Sequence, residues 1–374
     1  MGELTHSTET NDWTYIRTNM NYITEEFTFD NLDYLNDYEN VTEEPPDGRE
    51  YICVEENPLL LFRTVFQPLV YGVVFLLGLM GNTLLMIILL KRWKNLRMTD
   101  IYLLHLALAD LLLLFTFPFA VTQGISGWPF GTVLCKLIGL INRLNLVCGS
   151  LLLAYISFDR YVAIVHAIPS LQRRQPRSAQ LTCLSLWLFS FFITSPNIVF
   201  LSVKGEDINS TRLSCAFNNH GIHGRNWMLA SRFLTHLCFF LPLVVMGYCY
   251  TFVVITLCQK QRSLEKQGAI RLALLITIVF CMSWLPYNVA ILMDTLRLLG
   301  GIPEQSCSAH ASLNQALIVT ESIGFSHCCV NPILYAFIGV RFRRDLLQLF
   351  RKTNRLSVEN LNRVSVTETI TTTP

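Results

Sequence analysis

Seven apolar stretches, at 65–90, 101–124, 133–158, 180–202, 228–257, 269–296 and 311–338, alternate with short polar segments along the chain. At about 1.5 Å of rise per helical residue, each is long enough to cross the hydrocarbon core of a bilayer. None shows the apolar–polar alternation of a membrane barrel strand. The pattern therefore predicts an all-α fold, a seven-transmembrane helix bundle. Pro118, Pro196, Pro242, Pro286 and Pro332 fall within five of the stretches and predict kinks, because each removes a backbone hydrogen bond. Beyond the seventh stretch, the segment Val340 to Phe350 sets Phe342, Leu346, Leu349 and Phe350 on one helical face, with arginines elsewhere. That spacing predicts a short amphipathic membrane-surface helix over 339–352. The third stretch stands out. From Cys135 to Arg160 a helix rises about 37 Å, so one rod would place a cysteine on one side of the membrane and an ionic cluster on the other.

Composition agrees. The chain has 374 residues, of which 52% are hydrophobic and only 15% charged, against about 25% charged in soluble domains. Charge is segregated as well. Residues 1–57 carry 15 Asp and Glu against 2 Lys and Arg; the remainder carries 12 against 27. The acidic head has no apolar core-forming pattern, and we read it as disordered until bound. It also has no signal-peptide h-region, so the first span is expected to act as the insertion signal. Lys91, Arg92, Lys94 and Arg97, then Arg173, Arg174 and Arg177, then Lys260, Arg262 and Lys266, and finally Arg341, Arg343 and Arg344 fall on one side of the membrane. By the positive-inside rule that side is cytoplasmic, which predicts an extracellular amino terminus and a cytoplasmic carboxyl terminus. The sequons at Asn40 and Asn209 are then extracellular and open to N-glycosylation. The chain divides into the head (1–57), the seven-helix domain (58–338), the surface helix (339–352) and a Ser/Thr-rich tail (353–374) expected to be a disordered phosphorylation substrate.

Some polar residues sit where burial is expensive. Asp110 lies inside an apolar run, and an intramembrane acid is functional by default. Asn82, Asn145 and Asn331 are its expected neighbours; the alternative is a hydrogen-bond network that only joins helices. Asp294 and Glu321 fall near the outer ends of spans six and seven, each about ten residues outward of Trp284 and Asn331 respectively. Two acids around one cavity beneath an acidic head point to a cationic ligand, with Trp128 and Gln123 at the rim. His236, His310 and His327 are read as packing or hydrogen-bonding residues, with a spacing that indicates no metal site and no cofactor. Of the 12 cysteines, Cys53, Cys135, Cys215 and Cys307 are on the outer side, and four cysteines allow three pairings.

Several motifs now line up: Gly81-Asn82, the LALAD run ending in Asp110, Thr116-Phe117-Pro118, WPFG from Trp128, and DRYVAIVHA from Asp159. Trp187, Pro242 with Tyr250, SWLPY from Ser283, and HCCVNPILYAF from His327 complete the series. In this order and spacing the chain resembles the rhodopsin-like G-protein-coupled receptors. DRYVAIVHA and HCCVNP within it resemble the CXC-type chemokine receptors, types 3 and 5 in particular. Departures are small: Val162 replaces a usual leucine, Ser283 a common cysteine, and Gly149 a hydroxyl residue that often helps hold sodium.

The resemblance implies disulfides Cys135–Cys215 and Cys53–Cys307. It implies that Asp159 restrains Arg160 beside Tyr161, and that Trp284, Pro286, Asn331, Pro332, Tyr335 and Tyr250 are activation switches. It implies a sodium site at Asp110, Asn145 and Asn331, and sulfation of Tyr34 and Tyr38 beside Asp33 and Asp37. The expected partners are a secreted basic CXC chemokine, a heterotrimeric G protein of the inhibitory class, arrestin and receptor kinases at the tail, and the lipid bilayer; nucleic acid is not among them. A scavenging receptor without G-protein signalling is the alternative, disfavoured by DRYVAIVHA. A transporter is disfavoured by the lack of an evident internal repeat. No nucleophile–base pairing marks an enzyme, and span seven lacks a lysine for a retinal Schiff base.

Overall fold

The computed structural model describes residues 62–166, 176–205, 212–217, 221–259, 264–300, 307–338, 342–348 and 351. The expected head, with Tyr34, Tyr38, Asn40 and Cys53, lies outside these residues, as do Asn209 and the tail from 353.

Seven long helices dominate: α1 (Gln67–Lys91), α2 (Met98–Ser126), α3 (Gly131–Tyr161), α4 (Pro176–Thr194), α5 (Gly221–Gln259), α6 (Leu264–Leu298) and α7 (Cys307–Ile338). Each contains a span long and apolar enough to cross a membrane. A π-helical turn, Phe62–Phe66, leads into α1, and another, Val162–His166, extends α3. Residues 342–348 form the short helix expected after span seven. Phe342 and Leu346 are half-buried there, while Arg343 and Arg344 are exposed. Asp345 ties this helix to the α1–α2 loop by an ion pair with Arg92.

Exposed side chains reveal the surrounding solvent. Along α4, Leu181, Leu184, Leu188, Phe191 and Phe192 all face outward at helical spacing. A water-facing helix would not present such a stripe, whereas hydrocarbon accepts it at no cost. The central window of α4 is only 18% buried, that of α3 67%. That contrast makes α3 the central post, and it packs against α2, α4, α5 and α6. α7 closes the ring against α6 and α1. Close approach of α7 to α1 depends on Gly81, where a Cβ would collide with Cβ of Pro332.

The fourth span ends earlier than the apolar run predicts. α4 stops at Thr194, a turn follows at Ser195, and a short helix, Pro196–Phe200, leads into a strand at Leu201 rather than continuing to 202. Pro196 supplies the cause: it has no N–H to donate, and it disfavours helix at the residue before it. Strands β1 (Leu201–Gly205) and β2 (Leu213–Phe217) form an antiparallel hairpin, pairing Leu201 with Phe217 and Val203 with Cys215. The apolar pattern did not predict this small sheet.

Candidate functional site

Functional residues fall on three levels along α3. At its outer end the disulfide Cys135–Cys215 joins α3 to β2, with the Cα atoms 5.6 Å apart. Cys307 begins α7, and Cys53, the partner expected for it, lies outside the described residues. Trp128 does not line a rim. It is 2% exposed, donates from Nε1 to the Gly131 carbonyl at 2.8 Å, and meets Phe130 edge-on. Its backbone N–H donates to Leu213 of β2 at 2.7 Å. An indole this buried holds the loop and hairpin together; an apolar ring with one donor is satisfied where it is. Gln123 is half-buried near the end of α2, where its carbonyl and that of Gly124 accept from Arg212 at 3.2 and 2.8 Å.

Below the hairpin the two expected acids are present, but neither stands alone. Asp294 on α6 accepts from Arg232 of α5 at 2.6 Å and from Arg297 at 3.2 Å. Glu321 on α7 is within electrostatic reach of Arg143 on α3, whose guanidinium carbon lies 5.9 Å from the Tyr287 ring centroid. Gln67 donates to the Tyr71 hydroxyl at 3.0 Å, and Ser322, next to Glu321, approaches the same oxygen at 3.4 Å. The outer parts of α3, α5, α6 and α7 therefore carry interleaved charges of both signs, not acids alone. The sequence reading singled out the acids and not Arg143 and Arg232. Their signal was in plain view, since an arginine inside an apolar span is as costly as an aspartate.

The middle level is built on Trp284, which is 2% exposed. Its ring meets Phe325 at 5.4 Å, Tyr287 at 5.7 Å and His327 at 5.9 Å. Beneath it lies Asp110. Asn331 donates to Asp110 Oδ2 at 3.0 Å, as the sequence reading placed it. Around Oδ1, however, stand His327 Nε2 at 3.3 Å and Cys328 Sγ at 3.6 Å. Asn82 reaches the Cys328 carbonyl at 2.9 Å instead of the acid. Asn145 is 3% exposed, and its Oδ1 has no hydrogen-bond partner among the described residues. Gly149 has a packing reason of its own: a Cβ there would come within 2.9 Å of the Phe280 ring. A hydroxyl side chain at 149 would exclude that ring.

At the inner level Arg160 donates to Asp159 Oδ2 at 2.6 Å, a pair whose side chains are 22% and 10% exposed. Tyr161 meets His166 through its hydroxyl at 3.0 Å and packs on Tyr248 and Phe252. Tyr250 of α5 bonds Thr277 of α6 at 3.3 Å. Tyr335 is buried under Phe342 of the surface helix, with ring centroids 6.4 Å apart. Pro286 lies inside α6 two residues outward of Trp284, and Pro332 lies inside α7 between Asn331 and Tyr335.

Comparison with known proteins adds to this geometry. The profile of the 7 transmembrane receptor (rhodopsin family) matches residues 81–335. The chain is 42% identical over 317 residues to the C-X-C chemokine receptor type 5 of Rattus norvegicus, covering 84% of each chain. It is 37% identical over 339 residues to type 1 of Oryctolagus cuniculus, covering 89% of this chain and 92% of that one. It is 38% identical over 291 residues to type 3 of Homo sapiens, covering 78% and 77%. Seven spans, of which α3 is the most buried, with Asp159–Arg160 at one end of α3 and Cys135–Cys215 at the other, are thus matched by relatedness over most of the length. The chain is a multi-pass membrane protein that belongs to the rhodopsin family of seven-transmembrane receptors and, within it, to the C-X-C chemokine receptors, a group of receptors and not of enzymes.

Proposed function

We propose that this chain is a plasma-membrane receptor for a small, basic, secreted CXC chemokine, and that it activates a heterotrimeric G protein of the inhibitory class to direct chemotaxis of immune cells. The amino terminus is extracellular and the carboxyl terminus cytoplasmic. The observation that carries the reading is the presence of three polar levels in one bundle: the Arg232–Asp294 pair in the outer part, Trp284 against His327 in the middle, and the Asp159–Arg160 pair at the inner end.

The acidic head, with 15 acids against 2 bases, steers a basic ligand and speeds its encounter. Sulfation of Tyr34 and Tyr38 adds to that charge, and glycans at Asn40 and Asn209 mark the outer face. The ligand's flexible amino terminus then enters the bundle between Asp294 and Glu321. Each acid already has an arginine neighbour, so a ligand cation must compete with Arg232 or Arg143, and a ligand acid takes the arginine it frees. That exchange moves α5 against α6, because Arg232–Asp294 spans them. α6 swings about Pro286, the Tyr250–Thr277 bond opens, and Arg160 leaves Asp159 for the G protein. A bound ligand needs only the few kcal/mol of differential affinity that separate two such states. Phosphorylation of the tail then recruits arrestin.

The test is a panel of purified CXC chemokines applied to cells expressing the chain, read by calcium or cyclic-AMP response. A response to at least one member is expected. Binding with no G-protein response from any member would favour a scavenging receptor, and absence of binding by all would sink the ligand assignment.

A further inference from the structure

The three atoms that meet under Trp284 are an oxygen of Asp110, a nitrogen of His327 and a sulfur of Cys328. They are separated by 3.3 Å (N to O), 3.6 Å (S to O) and 3.8 Å (S to N). A tetrahedral zinc ion, with bonds of about 2.0–2.1 Å to N and O and about 2.3 Å to S, sets its ligands about 3.3 Å apart for N and O and about 3.6 Å apart for pairs with sulfur. The N–O and S–O edges of the observed triangle match these values, and its S–N edge of 3.8 Å is slightly longer. Two of its corners sit on one turn of α7 and the third on α2, so an ion held there would fasten the two helices together.

The histidine is prepared as metal ligands usually are. His327 Nδ1 lies 2.6 Å from the Gly324 carbonyl oxygen, so Nδ1 carries the proton and donates it there. That turns Nε2 toward Asp110, the ring orientation that a backbone carbonyl imposes on metal-bound histidines. Asp110 is oriented in turn, since its other oxygen accepts from Asn331. The Oδ1 of that same Asn331 is buried and has no hydrogen-bond partner among the described residues, which leaves an oxygen beside the site for a fourth position, alone or through water. All three ligand residues are 3% exposed or less.

Charge and donor type distinguish the ion. Sodium is a hard cation and wants oxygens, whereas nitrogen and sulfur on two of the three corners suit zinc. Gly149 removes the hydroxyl that an oxygen-rich sodium shell would use, and Phe280 fills its place. The geometry points to Asp110, His327 and Cys328 as a buried zinc site that locks α2 to α7. On binding, Zn²⁺ enters, the Cys328 thiol gives its proton to solvent, and a thiolate–zinc bond forms. The ion's two positive charges are then cancelled by one carboxylate and one thiolate, leaving no net charge in the apolar interior. A lock at this level restrains Asn331-Pro332 and so favours the resting receptor.

The experiment uses the full-length receptor in lipid nanodiscs, stripped of metal with a chelator and reloaded with Co²⁺ or Zn²⁺ alone. Expected is about one Co²⁺ per receptor, with a thiolate-to-cobalt charge-transfer band and the visible bands of a tetrahedral ion, displaced by Zn²⁺. X-ray absorption at the zinc edge on the unaltered protein should show one sulfur in the first shell. Cys328→Ser should lose the band and weaken zinc binding about tenfold or more. Cys329→Ser should keep both, because Cys329 Sγ is directed to the Ser326 carbonyl at 3.1 Å. The inference is overturned if the unaltered protein retains no stoichiometric metal, which would leave a His327–Asp110 ion pair or a sodium site. It is also overturned if the first shell lacks sulfur, or if Cys328→Ser binds as the parent does.

Discussion

Tyr250 on α5 and Thr277 on α6 share a hydrogen bond of 3.3 Å that ties the inner halves of the two helices together. Thr277 also donates to the Ala273 carbonyl at 2.9 Å, so the shared proton comes from Tyr250. The bond belongs to a closed inner face. Thr277→Val keeps the shape and removes the acceptor, at a cost to the closed state of about 1 kcal/mol. Ligand-independent nucleotide exchange should rise about fivefold. Unchanged basal exchange in a variant delivered normally to the membrane would show that this contact does not hold α6.

The pairing of Arg232 with Asp294 makes a second expectation. Their side chains are 20% and 10% exposed, so removing one leaves the other poorly solvated. Arg232→Gln and Asp294→Asn should each destabilise the receptor by up to about 3 kcal/mol, and the double variant should cost clearly less than their sum. Thermal unfolding in nanodiscs reads all three. Simple additivity would mean that the two groups are not coupled.

Gly149 and Phe280 should behave as one packing unit. Gly149→Ala puts a methyl within 2.9 Å of the ring and should cost about 1–3 kcal/mol. Adding Phe280→Leu should recover part of the loss. Equal stability of Gly149→Ala and the parent would remove the packing explanation for this glycine.

Trp128 separates a structural role from a ligand contact. Because it is buried beneath the hairpin, Trp128→Ala should lower folded stability by about 3–5 kcal/mol and reduce surface delivery. A variant of unchanged stability that only loses ligand affinity would restore the reading of Trp128 as a rim residue.

Much of this molecule is legible in its sequence because lipid imposes a simple rule: long apolar runs must be helices. The seven spans and the surface helix follow from it, and motif order carried the Cys135–Cys215 pairing. The Asp110–Asn331 contact follows from the cost of burying an acid. What stayed hidden depends on which side chains face one another across helices. Asp110 and Cys328 are 218 positions apart, and no periodicity reports that they meet. Asn145 was expected beside Asp110, and the contacts that Asp110 makes at Oδ1 are with His327 and Cys328. The hairpin escaped notice because two five-residue strands leave no apolar run of spanning length. Arg143 and Arg232 were readable by the rule that singled out Asp110, and they change the outer part of the bundle from acidic to mixed.

The central claim is that a chemokine bound outside frees Arg160 inside. Its most direct measurement is nucleotide exchange on a purified inhibitory-class G protein by the receptor in nanodiscs, with each CXC chemokine of a panel, on the parent chain and on Arg160→Ala. At least one chemokine should accelerate exchange by the parent many-fold, and should bind Arg160→Ala with similar affinity without accelerating exchange. Equal acceleration by both proteins, or binding lost together with exchange in Arg160→Ala, would contradict the account.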